Sequence, residues 1–173
     1  TEWVGGYLIS TFPTLNIPIS KYKSVEKYLK SFQPKINQTG ETFVNEEGKK
    51  EKARKKTGNK WFETQDQIGY YAEFFKEKII WKRIGSKLRF CYSNKEIYSL
   101  DSTCIATGEK IKYLTALLNS NVCKYQLFEN APKTGMGDLI ISVQALEPLL
   151  VYYPNEIQQR LVETITTFCI SLK

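Results

Sequence analysis

The chain has 173 residues, 42% hydrophobic and 13% aromatic, with a net charge of +7 and no histidine. That length holds one substantial core, and the composition excludes a disordered chain. The missing histidine excludes Ser–His and Cys–His couples, and no apolar run is long enough for a signal peptide or a membrane span, so a soluble, cytoplasmic protein without a membrane partner is expected.

Taken in chain order, Trp3 to Thr11 reads as an opening strand, stopped by Phe12-Pro13. From Ile19 to Phe32, the residues Tyr22, Val25, Tyr28, Leu29 and Phe32 recur at three- and four-residue steps among lysines. That spacing predicts an amphipathic helix with Ser20 as its N-cap. Asn45 to Lys60 has seven basic and three acidic residues and no large apolar side chain. It cannot bury a face, so a solvated loop or an all-polar helix is expected. The aromatic run Ile68 to Phe75 predicts a short helix packed on a sheet.

Three apolar or β-branched runs follow: Lys78 to Ile84, Leu88 to Tyr92 and Asp101 to Thr107. Polar turns separate them, and they read as strands. Tyr113 to Ser120 then gives a helix with a leucine face, and Asn121 to Asn130 continues helical. Ala131 to Gly137 is an exposed loop with glycines that permit close backbone approach. Ile140 to Val151 returns to the core. Pro154 opens a last helix with Ile157, Leu161, Val162, Ile165, Phe168 and Leu172 on one face. The fold class expected is mixed α/β (α+β): a small twisted β-sheet flanked by helices, with a C-terminal helix.

Charge is unevenly spread. Residues 137–173 carry Arg160 and Lys173 against Asp138, Glu147, Glu156 and Glu163, so the first 136 residues hold a net +9. A basic body suggests a polyanionic partner. The chain opens on Thr1 and its only methionine is Met136, which together with the unfinished apolar face of the last helix leads us to expect a fragment of a longer parent. The cysteines at 91, 104, 123 and 169 form no Cys-x-x-Cys pair, and reduced thiols are expected.

Catalysis finds no residue set. Neither a Gly-rich cofactor loop after a strand nor an Asn/Asp-Pro-Pro-Tyr/Phe turn occurs. Glu47-Gly48-Lys49 fits the Glu-x-Lys string of a magnesium nuclease, but it lies in a polar loop with no strand to fix it. No metal site is expected, and the fragment reads as non-catalytic.

Nucleic-acid binding is the positive case. Lys49, Lys50, Lys52, Arg54, Lys55, Lys56 and Lys60 form a dense cationic arm able to track phosphates. Gln65 carries the amide needed for a bidentate contact to adenine, and Asp66 could accept from a cytosine amine. Lys82 and Arg83 sit at the tip of a buried-type strand, where alternation lets only one face DNA. The planar fork of Arg83 suits guanine and Lys82 suits a phosphate. Ser86, Lys87 and Arg89 extend this basic rim, and Lys133 and Thr134 offer a second loop. Trp3, Trp61 and Trp81 could stack on bases, but in apolar segments they read as core.

Several pieces, in order, carry a resemblance: Tyr7-Leu8-Ile9, the lysine-rich insertion, Lys60-Trp61-Phe62-Glu63, Lys78-Ile79-Ile80-Trp81, Asp101-Ser102-Thr103, Leu118-Asn119-Ser120, and the run Lys133 to Pro148. Together they resemble the target recognition domain of bacterial restriction–modification enzymes, above all the C-terminal specificity domain of type IIG enzymes with adenine-specific DNA methyltransferase activity. The resemblance implies a recognition domain over 1–152 and a spacer or docking helix over 153–173. It implies loops that read double-stranded DNA, with methyltransferase and nuclease domains of the parent chain as partners. S-adenosylmethionine and magnesium are implied for the parent and no cofactor for this piece. Two other readings stay open: a fragment of a type I recognition subunit, and a non-catalytic protein-interaction module.

Overall fold

The computed structural model describes Gly5–Leu172, and these residues fold as two compact units, Gly5–Gly69 and the chain from Tyr70 onward. Trp3 and the start of the expected opening strand lie outside the described residues. Gly5 to Thr11 form no strand. Gly5 has φ +77°, and a Gly-Gly start gives a ladder little to hold.

In the first unit a 3-10 turn at Ile19–Lys21 leads into α1 (Lys23–Lys30). Ser20 lies inside that turn, so Tyr22 takes the N-cap position without a capping side chain. The helix is shorter than its periodicity suggested, and its aromatic residues are not buried. Tyr22, Tyr28 and Phe32 are exposed, the last two in edge-to-face contact at 5.1 Å.

The lysine-rich stretch is loop apart from Lys50–Lys52, which form a strand. β1 (Thr42–Val44) pairs antiparallel with β2 (Lys50–Lys52) in a hairpin. Asn45 makes the turn: its Oδ1 accepts from the N–H of Glu47 (3.0 Å) and Lys49 (2.8 Å), and Gly48 supplies φ +78°.

The second unit is built on β3 (Lys78–Lys82), the central strand of a three-stranded antiparallel sheet. β5 (Phe90–Ser93) lies on one side and β6 (Thr103–Thr107) on the other, with Trp81 opposite both Phe90 and Cys104. The short β4 (Ile84–Gly85) leaves β3 to pair with β7 (Leu139–Ile140). α2 (Ile111–Leu118), α3 (Asn121–Asn130) and the single turn α4 (Val143–Leu146) complete the core layer. Before β3, the aromatic run forms a 3-10 turn at Tyr71–Phe75. The expected strands and leucine helix are therefore present, in a mixed α/β fold that ends in helix α5 (Glu156–Ser171).

Alternation along β3 explains the core. Ile79 and Trp81 join Phe90, Ile111, Leu127, Leu139 and Ile141 in one apolar cluster. Lys78 is fully buried, its ammonium donating to the carbonyls of Lys76 (2.9 Å) and Lys95 (2.8 Å). Burial lowers its pKa, and the nearby Glu96 carboxylate opposes that shift.

Helices α2 and α3 are not continuous. Asn119 leaves the helix to clamp the edge of β5, donating to Phe90 O (2.7 Å) and accepting from Phe90 N–H (3.2 Å). Ser120 then caps α3 on the Cys123 N–H. Helix α5 starts at a capping box between Asn155 and Gln158. It buries Thr166, while Ile157, Leu161, Ile165, Phe168 and Leu172 face solvent. The four cysteines are free thiols, with Cys123 buried. Among the described residues no helix is long and apolar enough to cross a membrane.

Candidate nucleic-acid interface

Each unit presents a cationic surface of its own. In the first, alternation on the hairpin puts Lys50 and Lys52 on one exposed face with Thr42 and Val44. Phe43 and Glu51 are half-buried on the other face. Glu51 accepts from Lys35 (2.9 Å) and Asn45 (2.8 Å), and these bonds lower its carboxyl pKa.

The seven cations of the arm divide into two groups. Arg54 is half-buried, its Nε donating to Ile36 O and its Nη2 to Trp61 O, both at 2.7 Å. Its guanidinium is thus a bracket joining two chain segments. Lys60 lies between Glu63 (3.3 Å) and Asn16 (3.0 Å), and Lys49 is paired with Glu47 at 2.8 Å. The Glu47-Gly48-Lys49 string therefore closes on itself at the hairpin tip. By contrast, Lys50, Lys52, Lys55 and Lys56 are exposed and make no ion pair among the described residues.

Beneath the arm sit polar residues whose roles the sequence alone did not suggest. Buried Gln38 donates to Lys60 O (3.0 Å) and Glu63 O (2.7 Å) and accepts from the Thr57 hydroxyl. Asn59 donates to the carbonyls of Thr64 and Gln65, both at 3.0 Å, so the segment after the arm is held in place. Gln65 is half-buried with its amide toward Lys55 O at 3.5 Å, and Asp66 is exposed.

In the second unit, residues distant in sequence meet at one end of β3. The Arg83 N–H donates to Ser102 O (3.0 Å), and the Arg83 carbonyl accepts from Ile141 N–H (2.8 Å). The Ile141 carbonyl in turn accepts from Trp81 Nε1 at 2.9 Å, which anchors β7 to the sheet. Because Gly85 pairs with Leu139 and Leu139 bridges to Lys133, the turn at Ser86 and the loop at 133–137 become neighbours.

That loop closes as a tight turn. Thr134 N–H donates to Asp138 O (2.8 Å), Thr134 Oγ1 accepts from Asp138 N–H (3.1 Å), and Gly137 adopts φ +86°. Met136 stands almost fully exposed at its tip. Around this end Lys82, Arg83, Ser86, Lys87, Arg89 and Lys133 are all exposed; β3 ends at Lys82, so the alternation expected to let only one of Lys82 and Arg83 face DNA does not govern the pair. Only Arg83 among them makes an ion pair with a described residue, at 3.6 Å from Asp101. Trp81, by contrast, is buried core. Among the described residues, no group of three His, Cys, Asp or Glu side chains is placed to hold a metal.

No curated protein matches the chain. A family model described as the TaqI-like C-terminal specificity domain matches residues 19–149. That span takes in the hairpin, the sheet around β3, helices α2 to α4 and both cationic surfaces. The chain therefore belongs to the TaqI-like C-terminal specificity domains, which serve DNA sequence recognition in restriction–modification enzymes.

Proposed function

We propose that this chain is the recognition module of a type IIG enzyme and holds duplex DNA for adenine methylation and cleavage by other parts of the parent. The observation that carries the reading is the convergence of Lys82, Arg83, Ser86, Lys87 and Lys133 at one end of β3 through the β4–β7 pairing. A cationic rim on a rigid sheet suits base reading, because its backbone is over-determined. Arg83 is the reader, through guanine O6 and N7. Lys82, Lys87, Arg89 and Lys133 hold phosphates, with Ser86 and Thr134 beside them. The first unit adds phosphate contacts from Lys50, Lys52, Lys55 and Lys56, joined by Lys49 and Lys60 once phosphates displace their carboxylate partners. Arg54 keeps the arm in shape, and Gln65 reads an adenine edge once its amide leaves Lys55 O. S-adenosylmethionine and magnesium act elsewhere in the parent, and the setting is the bacterial cytoplasm.

A type I recognition subunit is the second reading, favoured by the solvent-facing apolar stripe of α5. A parent sequence with a second copy of this domain would select it.

The test is duplex binding over a salt series, comparing Arg83→Ala with Lys55→Ala. Arg83→Ala should relax discrimination by about 1–3 kcal/mol at one base pair, whereas Lys55→Ala should leave preference intact and reduce the salt slope by about 0.9. Salt-resistant binding to an acidic protein, with none to duplex, would instead establish the interaction-module reading.

A further inference from the structure

Resting on that recognition reading, we infer that Asp101 and Arg83 act as a pair that reads one G·C base pair across the major groove, Arg83 on the guanine and Asp101 on the cytosine. Asp101 is fully exposed on a basic rim, where a lone carboxylate would repel phosphates. It belongs there if it meets a donor, and the cytosine 4-amino group is the base-edge donor that carboxylates accept from. Arginine pairs by its two N–H groups with guanine O6 and N7.

The spacing fits a single base pair. Guanine O6 and cytosine N4 are hydrogen-bonded to one another, so they lie about 2.9 Å apart in the groove. Arg83 Nη1 and Asp101 Oδ1 are 3.6 Å apart, a donor beside an acceptor matched to an acceptor beside a donor. At 3.6 Å the two groups do not satisfy each other, which leaves the guanidinium N–H groups and the carboxylate oxygens available.

Both ends are fixed by backbone. Arg83 is held between Ser102 O and Ile141 N–H. Asp101 sits in the turn closed by Thr103, whose N–H and hydroxyl both donate to Leu100 O at 2.9 Å. An exposed pair of this kind contributes little to stability, so its placement is better explained by recognition.

The experiment selects duplexes from a pool with a randomised centre, using the chain as it stands, then Asp101→Asn, Arg83→Ala and Lys82→Ala. Wild type should enrich G·C at one position by roughly 5- to 150-fold over other pairs. Asp101→Asn should erase or redirect that preference, and Arg83→Ala should erase it at the same position. Lys82→Ala, which removes a phosphate contact, should weaken binding to all duplexes alike without moving the preferred base pair. The pairing is overturned if Asp101→Asn keeps the wild-type preference, or if the two substitutions act at different base pairs. It is also overturned, with duplex holding intact, if wild type binds without enrichment. Failure of wild type to bind duplex at low salt would bring down the recognition reading as well.

Discussion

Replacing Lys50, Lys52, Lys55 and Lys56 together by alanine is expected to flatten the salt dependence of duplex binding by about 3 to 4 in the slope of log K against log salt. At 0.1 M salt this amounts to roughly a thousandfold loss of affinity. The reasoning is counterion release, about 0.9 per phosphate neutralised. These four lysines are exposed and have no carboxylate partner among the described residues, so their charge is available without first breaking a contact. Arg54→Ala provides the contrast. Its guanidinium is committed to Ile36 O and Trp61 O, so its loss should lower the unfolding midpoint of the chain while moving the salt slope little. Fluorescence titration of a labelled duplex between 50 and 200 mM salt reads the first effect, and urea unfolding reads the second. A slope unchanged in the quadruple variant would remove the arm from the interface.

The second large effect is on stability. Trp81→Ala should destabilise the unit from Tyr70 onward by about 3–5 kcal/mol, much of the 5–15 kcal/mol that a domain possesses. Trp81 is buried in the cluster of Ile79, Phe90 and Leu139, and its ring lies 5.8 Å from that of Phe90. Its indole N–H also holds Ile141, the residue that ties β7 to Arg83. Trp81→Phe keeps most of the apolar volume and removes that bond, so a smaller cost of about 1–3 kcal/mol is expected from the stranded carbonyl. Urea unfolding followed by circular dichroism separates the two variants through their midpoints. Equal midpoints for Trp81→Phe and wild type would show that the Ile141 contact has no structural weight.

The sheet was legible in the sequence because Lys78 to Trp81 is apolar apart from its first residue and is followed by the Gly85-Ser86 turn. Such a run has few alternatives to a buried strand. The leucine helix and the capped C-terminal helix were legible for the same reason of period. The hairpin at 42–52 was missed because Lys-Glu-Lys carries no apolar alternation. Its signal lay in the turn, where Asn45 and Gly48 stand three residues apart. The N-cap at Ser20 failed because Pro18 and the short 3-10 turn shift the helix start to Lys23.

Of the candidate site, residue type could be read directly, but burial and partners could not. Arg54 looks like its lysine neighbours in the sequence, yet burial and two carbonyls make it a bracket. The meeting of the Ser86 turn with the 133–137 loop depends on two-residue strands, too short for any pattern to announce. Asp101 was visible only as part of a strand, because its nearness to Arg83 is a property of the β3–β6 register.

The most direct measurement is lysine acetylation of the chain with and without duplex DNA, read by mass spectrometry. Lys82, Lys87 and Lys133 occupy one end of β3, whereas Lys76 and Lys95 lie beside Lys78 at its other end. The account predicts that duplex shields the first three, together with Lys50, Lys52, Lys55 and Lys56, and leaves Lys76 and Lys95 as reactive as before. Shielding of Lys76 and Lys95 with Lys82, Lys87 and Lys133 still reactive would contradict it.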